Sequence, residues 1–229
     1  MYSFNSDNIH PSSPRNFMAG NTVYIQDEIT ENNCAFLIAD LNDFIMNDDN
    51  RGKQLQFMIN SPGGDLYVAY QICSLINMAK IRDITVLTWV LGYAASAGSL
   101  IAVHGDIKTM SRCAHHMIHF GCIWNVITKE SELDKSTKFN KIMTRQTQQM
   151  YLDCCPKLTK EKLQELESDE YGRIFADECL KLGICNHIVE DELKIVQKRK
   201  NTEQQWIADF YDFKKQHKVT NDAKKTNNK

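Results

Sequence analysis

The sequence predicts an α/β fold built on a largely parallel sheet. Three observations predict it. Apolar runs with strand character alternate with segments of helical spacing through most of the chain. The runs "QFMINSPGG" and "ITVLTWVLG" are short, apolar and closed by glycine turns, as strands before helices are. The 229 residues are 42% hydrophobic, enough to cover such a sheet with helices.

Residues 1–20 are polar and hold two of the four prolines, and they read as an irregular, flexible N-terminal arm. "NTVYIQDEI" alternates and reads as a strand. In "TENNCAFLIADLNDFIMNDDN", Cys34, Leu37, Ile38, Leu41 and Phe44 share helical spacing, and Thr30 suits the N-cap. "KQLQFMINSPGG" is a strand ending in a turn. Leu66, Tyr70, Cys73, Ile76 and Ile81 mark one face of the next helix. "ITVLTWVLG" is continuously apolar, which predicts a strand buried on both faces. "ASAGSLIAVHG" reads as a short buried helix, and "IKTMSRCAHHMIHFG" as one or two strands. The charged segment over residues 129–155 reads as a long surface helix. "TKEKLQELESDE", capped by Thr159, is another, and "FADECLKLGICNHIVE" is a helix followed by a short strand. Residues 191–229 form a polar, lysine-rich extension expected to be partly disordered, with an aromatic cluster at Trp206, Phe210, Tyr211 and Phe213.

The formal net charge of −2 gives no electrostatic case for nucleic acid. The apolar runs are broken well short of the roughly 20 residues of a membrane span. The N-terminus lacks the basic and apolar blocks of a secretory signal. Eight cysteines lie scattered in apolar segments, so they read as buried reduced thiols in a reducing compartment.

Three motifs could carry chemistry. In "LGYAASAGSLIAVHG" small residues surround Ser96 and Ser99 at a strand-to-helix junction. Such a stretch is either a tight structural turn or a mount for a nucleophile, because helix N–H groups there can hold an oxyanion. The glycines of "INSPGGD", Gly63 and Gly64, sit at a strand's carboxyl end. They are either a plain turn or donors of unhindered N–H groups. His115, His116 and His119 are a general base, sheet-edge polar residues or, less in keeping with their surroundings, metal ligands.

The order of these motifs decides between the readings. Gly64 precedes Ser96 by 32 positions, and His119 follows it by 23. "INSPGGD", "GYAASAGSL", "HMIHFG" and "ADECLKLGICNHIV" together resemble the proteolytic subunit of Clp proteases (ClpP), over Asn21 to Glu190. The resemblance implies a ClpP/crotonase-like domain over residues 21–190, with the long helix as a protruding handle. It implies a serine endopeptidase with Ser96 as nucleophile and His119 as base. The N–H groups of Gly64 and Ala97 would form the oxyanion hole. It implies no metal, nucleotide or other cofactor in the chain itself. It further implies heptameric rings stacked as a tetradecamer, a partner AAA+ Clp unfoldase, unfolded polypeptides as substrates, and a place in the cytoplasm or an organelle of bacterial origin.

The chain departs from the family pattern where the third triad member belongs. Counting back five from Ala176 puts that position at Tyr171, which is no carboxylate. Asp169 lies two residues away, on the same side of an extended segment, and could orient His119. Otherwise Tyr171 serves, or the site is a Ser-His dyad. "FGCIWNVITK" also lacks the family's proline and glycine-rich stretch after the histidine. Two other functions follow as alternatives: a catalytically weak structural subunit of a mixed ring with another ClpP, or a crotonase-type acyl-CoA enzyme.

Overall fold

The computed structural model describes residues 15–119, 130–168 (backbone alone for 130–135), 172–190, 197–198 and 200–202. Its strands are Asn16–Ala19 (β1), Thr22–Ile25 (β2), Gln54–Ser61 (β3), Thr85–Ala95 (β4), Ile107–Met110 (β5), His115–Met117 (β6), Arg173–Phe175 (β7) and His187–Ile188 (β8). Its helices are Glu31–Met46 (α1), Leu66–Ile81 (α2), Ala97–Val103 (α3), Glu130–Cys154 (α4), Lys160–Ser168 (α5) and Ala176–Leu182 (α6). The strands form one sheet in the order β1-β2-β3-β4-β5-β8, with β6 paired to β4 and β7 to β6. The pairs from β2 through β8, and β4 with β6, are parallel. Among the described residues, β1–β2 and β6–β7 are the antiparallel pairs.

The expected helices form where their caps and spacing put them. Thr30 Oγ1 accepts the Asn33 N–H at 3.1 Å, and Cys34, Leu37, Leu41 and Ile45 of α1 are buried. Asp65 caps α2 through the N–H groups of Tyr67 and Val68. Every residue of α3 is buried, as its small and apolar sequence predicts.

Four local expectations are corrected. Residues 16–19 belong to β1 and not to an irregular arm, because Asn16 is locked in place. Its side chain accepts the N–H groups of Gln26 and Asp27 and donates to the Glu28 carbonyl. The β4 strand is covered on one face only: Val86 and Val90 are buried, whereas Leu87 and Trp89 are half-buried and Leu91 is exposed. The same alternation runs along β3, so α1, α2 and α3 pack on one side of the sheet. Ile81, assigned to the packed face of α2, is 84% exposed at the last turn. The short β7 was not anticipated; it is fixed by antiparallel pairing of Arg173, Ile174 and Phe175 with β6.

A buried lysine ties three elements together. Lys108 of β5 is 6% exposed, and its Nζ donates to the Cys154 carbonyl at 2.6 Å and the Gly183 carbonyl at 2.8 Å. These carbonyls close the C-termini of α4 and α6, where the helix dipoles favour a cation. Lys108→Met leaves both carbonyls without that donor and is expected to lower unfolding stability by about 2 kcal/mol. Urea titration checks this; a midpoint equal to that of the parent chain would contradict it.

Residues from Val189 onward make a separate unit. Its described residues, 189–190, 197–198 and 200–202, are helical. The aromatic cluster at residues 206–213 lies outside the described residues.

Candidate active site

The β4 strand ends at Ala95 and α3 starts at Ala97, so Ser96 alone makes the junction. It does so at φ +51° and ψ −122°. That region is unfavourable for a residue with a Cβ, at a cost on the order of 1–3 kcal/mol. Both backbone groups of Ser96 are held. Its N–H donates to the Met117 carbonyl at 2.8 Å, joining it to β6. Its carbonyl accepts the Leu100 N–H at 3.1 Å and the Tyr151 hydroxyl of α4 at 3.5 Å. The small neighbours have a use here. A Cβ at Gly98 would stand 3.3 Å from Ser61 Cβ, a tight contact, so a glycine there eases the close approach of α3 to β3.

The glycine turn packs directly against this junction. Gly63 and Gly64 adopt φ +94° and +142°, where side chains are strained. A Cβ on Gly63 would lie 2.7 Å from Ser96 Cβ and 2.6 Å from the Ala95 carbonyl oxygen. One on Gly64 would collide with the Ile29 backbone. The turn is fixed by a bridge to Ile29: the Ile29 N–H donates to the Gly63 carbonyl and the Asp65 N–H to the Ile29 carbonyl, both at 2.7 Å. Ser61 Oγ accepts the Gly63 N–H at 3.1 Å. The Gly64 N–H falls between these bonds and donates to no described acceptor. The Ala97 N–H opens α3 and is equally unengaged among the described residues.

The structure separates the three histidines. His115 stacks on Tyr93 and lies tilted against Phe175 on the open side of the sheet. His116 points the other way and is 1% exposed, with Nδ1 2.9 Å from Ser99 Oγ. Burial, then the charges of His115 and Lys108, push its pKa down to about 3. His119 lies two residues past the end of β6, is exposed, and lines the same cleft as Ser96. No hydrogen bond joins its ring to Ser96 Oγ among the described residues. Ser99 is fully buried inside α3.

The cleft has a volume of about 230 Å³. Gly64, Ser96, Ala97 and His119 share it, so four of the five residues singled out in the sequence converge. The fifth, Asp169, lies outside the described residues, as do Tyr171 and the segment after His119. The sequence reading missed the far wall, where Asn140, Met143, Thr144, Thr147 and Tyr151 of α4 face the cleft. Their i, i+3, i+4, i+7, i+11 spacing is a helical face and could have revealed it. The buried thiols are poor rival nucleophiles: burial pushes Cys155 up to about 12 and Cys185 up to about 11.

A parallel-rich sheet with a strained serine at a strand-to-helix turn, glycine N–H groups beside it and a histidine across the cleft is the layout of an α/β protein suited to acyl transfer. The sequence model of the family described as Clp protease matches residues 11–192. The chain belongs to the Clp protease family. It is 29% identical over 108 residues to an ATP-dependent Clp protease proteolytic subunit from Leuconostoc citreum (strain KM20). That match takes in 46% of this chain and 52% of the relative, so the chain spans about half the length of the curated relative it matches. Its fold matches a ClpP1 mutant from Listeria monocytogenes with a TM-score of 0.60 at 21% identity, over 73% of this chain and 90% of that one.

Proposed function

We propose that this chain is a serine endopeptidase subunit of an ATP-dependent Clp protease. The observation that carries the reading is Ser96, held at positive φ in a cleft that His119 also lines. A glycine at that junction would remove the strain, so keeping a side chain there points to a need for the hydroxyl. In this reading Ser96 Oγ attacks a peptide carbonyl carbon while His119 takes its proton. The carbonyl electron pair moves onto oxygen, which the Gly64 and Ala97 N–H groups stabilise. The tetrahedral species collapses to an acyl-enzyme, and the leaving amine takes the proton from His119. Water then attacks the ester by the same route and frees Ser96. Asp169 is the carboxylate proposed to orient His119. None of these steps draws on a metal or nucleotide. ATP is used by a partner AAA+ unfoldase, which delivers unfolded polypeptide to stacked heptameric rings of this chain, alone or mixed with another ClpP, in the cytoplasm or an organelle of bacterial origin.

The test is a fluorophosphonate probe applied to the purified full chain, followed by peptide mapping. A single adduct on Ser96 is expected, and assembled protein that takes up no probe would refute the reading. Tyr171, at the position where the family carries its aspartate, favours a second reading: a weakly active subunit of a mixed ring. In that case Ser96 labels slowly alone and faster once co-assembled with another ClpP.

A further inference from the structure

We infer that Tyr151 is a positioning residue: its hydroxyl, carried on α4, sets the peptide between Ser96 and Ala97 and so aims the Ala97 N–H at the oxyanion. The inference rests on the peptidase reading and adds a residue to its machinery. The Ser96 carbonyl and the Ala97 N–H belong to one planar trans peptide and point in opposite directions. Whatever holds the carbonyl therefore fixes the line of the N–H. The Ser96 carbonyl accepts the Leu100 N–H at 3.1 Å and the Tyr151 hydroxyl at 3.5 Å. The first bond closes the opening turn of α3. The second comes from a different helix and ties α4 to the same peptide.

Tyr151 is itself held. It is 2% exposed, and the Ser99 hydroxyl donates to its oxygen. Ser99 Oγ in turn lies 2.9 Å from His116 Nδ1. A backbone carbonyl can only accept, so the protons run one way, from His116 Nδ1–H through Ser99 and Tyr151 to the Ser96 carbonyl. Burial raises the Tyr151 pKa and keeps the phenol a donor. An oxyanion at the Ala97 N–H polarises the peptide and draws electron density onto its carbonyl, where the Tyr151 hydroxyl meets it. The long bond of the resting site therefore strengthens as the oxyanion forms, and the hydroxyl acts on the transition state more than on substrate binding.

Tyr151→Phe deletes that hydroxyl and keeps the ring. The full chain is assayed for peptide turnover and for inhibition by a peptide trifluoromethyl ketone. Ser96 Oγ adds to the ketone carbon, its proton passes to His119, and the ionised oxygen rests in the oxyanion hole. Both kcat and ketone affinity are expected to fall about fivefold, with KM unchanged. Tyr70→Phe is the control: it deletes a hydroxyl that bonds Thr147 of the same helix, and it should leave kcat where it is. Equal kcat losses in the two variants would overturn the inference, as would unchanged ketone affinity in Tyr151→Phe. Amide exchange at Leu100, whose N–H shares the Ser96 carbonyl, reads the peptide without activity. It is expected to quicken about fivefold in Tyr151→Phe, with the amides of α5 unchanged, and equal exchange at Leu100 overturns the inference. Failure of the peptidase reading looks different: the parent chain neither cleaves peptides nor takes up fluorophosphonate, while faster Leu100 exchange in Tyr151→Phe still supports the hold of Tyr151 on this peptide.

Discussion

Ser96→Ala is expected to abolish fluorophosphonate labelling and to lower peptide turnover by about 10⁵- to 10⁶-fold, the scale seen when a triad nucleophile is removed. The change deletes one oxygen and keeps a Cβ. The φ strain at position 96 therefore stays, and so do the backbone bonds from its N–H to Met117 and from Leu100 to its carbonyl. Thermal unfolding should move little. Ser96→Gly separates function from stability further. It also removes the nucleophile, but it relaxes the +51° φ and is expected to gain about 1 kcal/mol. Ser99→Ala is the matched control, because the Ser99 hydroxyl is sealed inside α3 against His116. It should leave labelling at Ser96 intact. Undiminished probe uptake by Ser96→Ala, or its loss in Ser99→Ala alone, would move the nucleophile away from residue 96.

Residues whose role follows from local spacing were legible in the sequence. Thr30 caps its helix wherever the chain goes next, and the small residues from Ala94 to Gly98 fit a close junction. The placement of the two serines was legible too: Ser96 stands at the turn and lines the cleft, and Ser99, three positions later, is inside the helix. What failed depended on the other side of the sheet. A continuous apolar run such as "ITVLTWVLG" gives no sign of which face helices cover, so β4 read as doubly buried although Leu91 is exposed. The α4 wall was missed for a related reason: its charged sequence marks a surface, and that masks the helical face of Asn140, Met143, Thr144, Thr147 and Tyr151. His115 and His116 looked like a cluster with His119 in the sequence, and the two-residue period of β6 sends them to opposite faces.

His116 is expected to make the chain sensitive to acid. Its ring is enclosed by Ser99 and its neighbours and gives up its charge to remain there, with a folded pKa of about 3 against 6.5 as the ordinary value. The dominant cause is burial, and the charges of His115 and Lys108 add to it. Between these two pH values the unfolded chain binds a proton that the folded chain refuses. Stability therefore rises with pH across this window, is fully present above 6.5, and falls as pH drops toward 3. The limiting slope is about 1.4 kcal/mol per pH unit, so His116 alone is expected to remove roughly 3 kcal/mol on going from neutral pH to about pH 4. His104 adds to this with the same sign, since burial lowers its pKa also. The measurement is chemical denaturation of the parent chain and of His116→Gln at several pH values. His116→Gln keeps a polar partner for Ser99 but cannot titrate, so its stability should decline far less steeply between pH 6.5 and pH 4. Parallel curves for the two proteins would assign the acid sensitivity to the carboxylates and leave His116 no part in it.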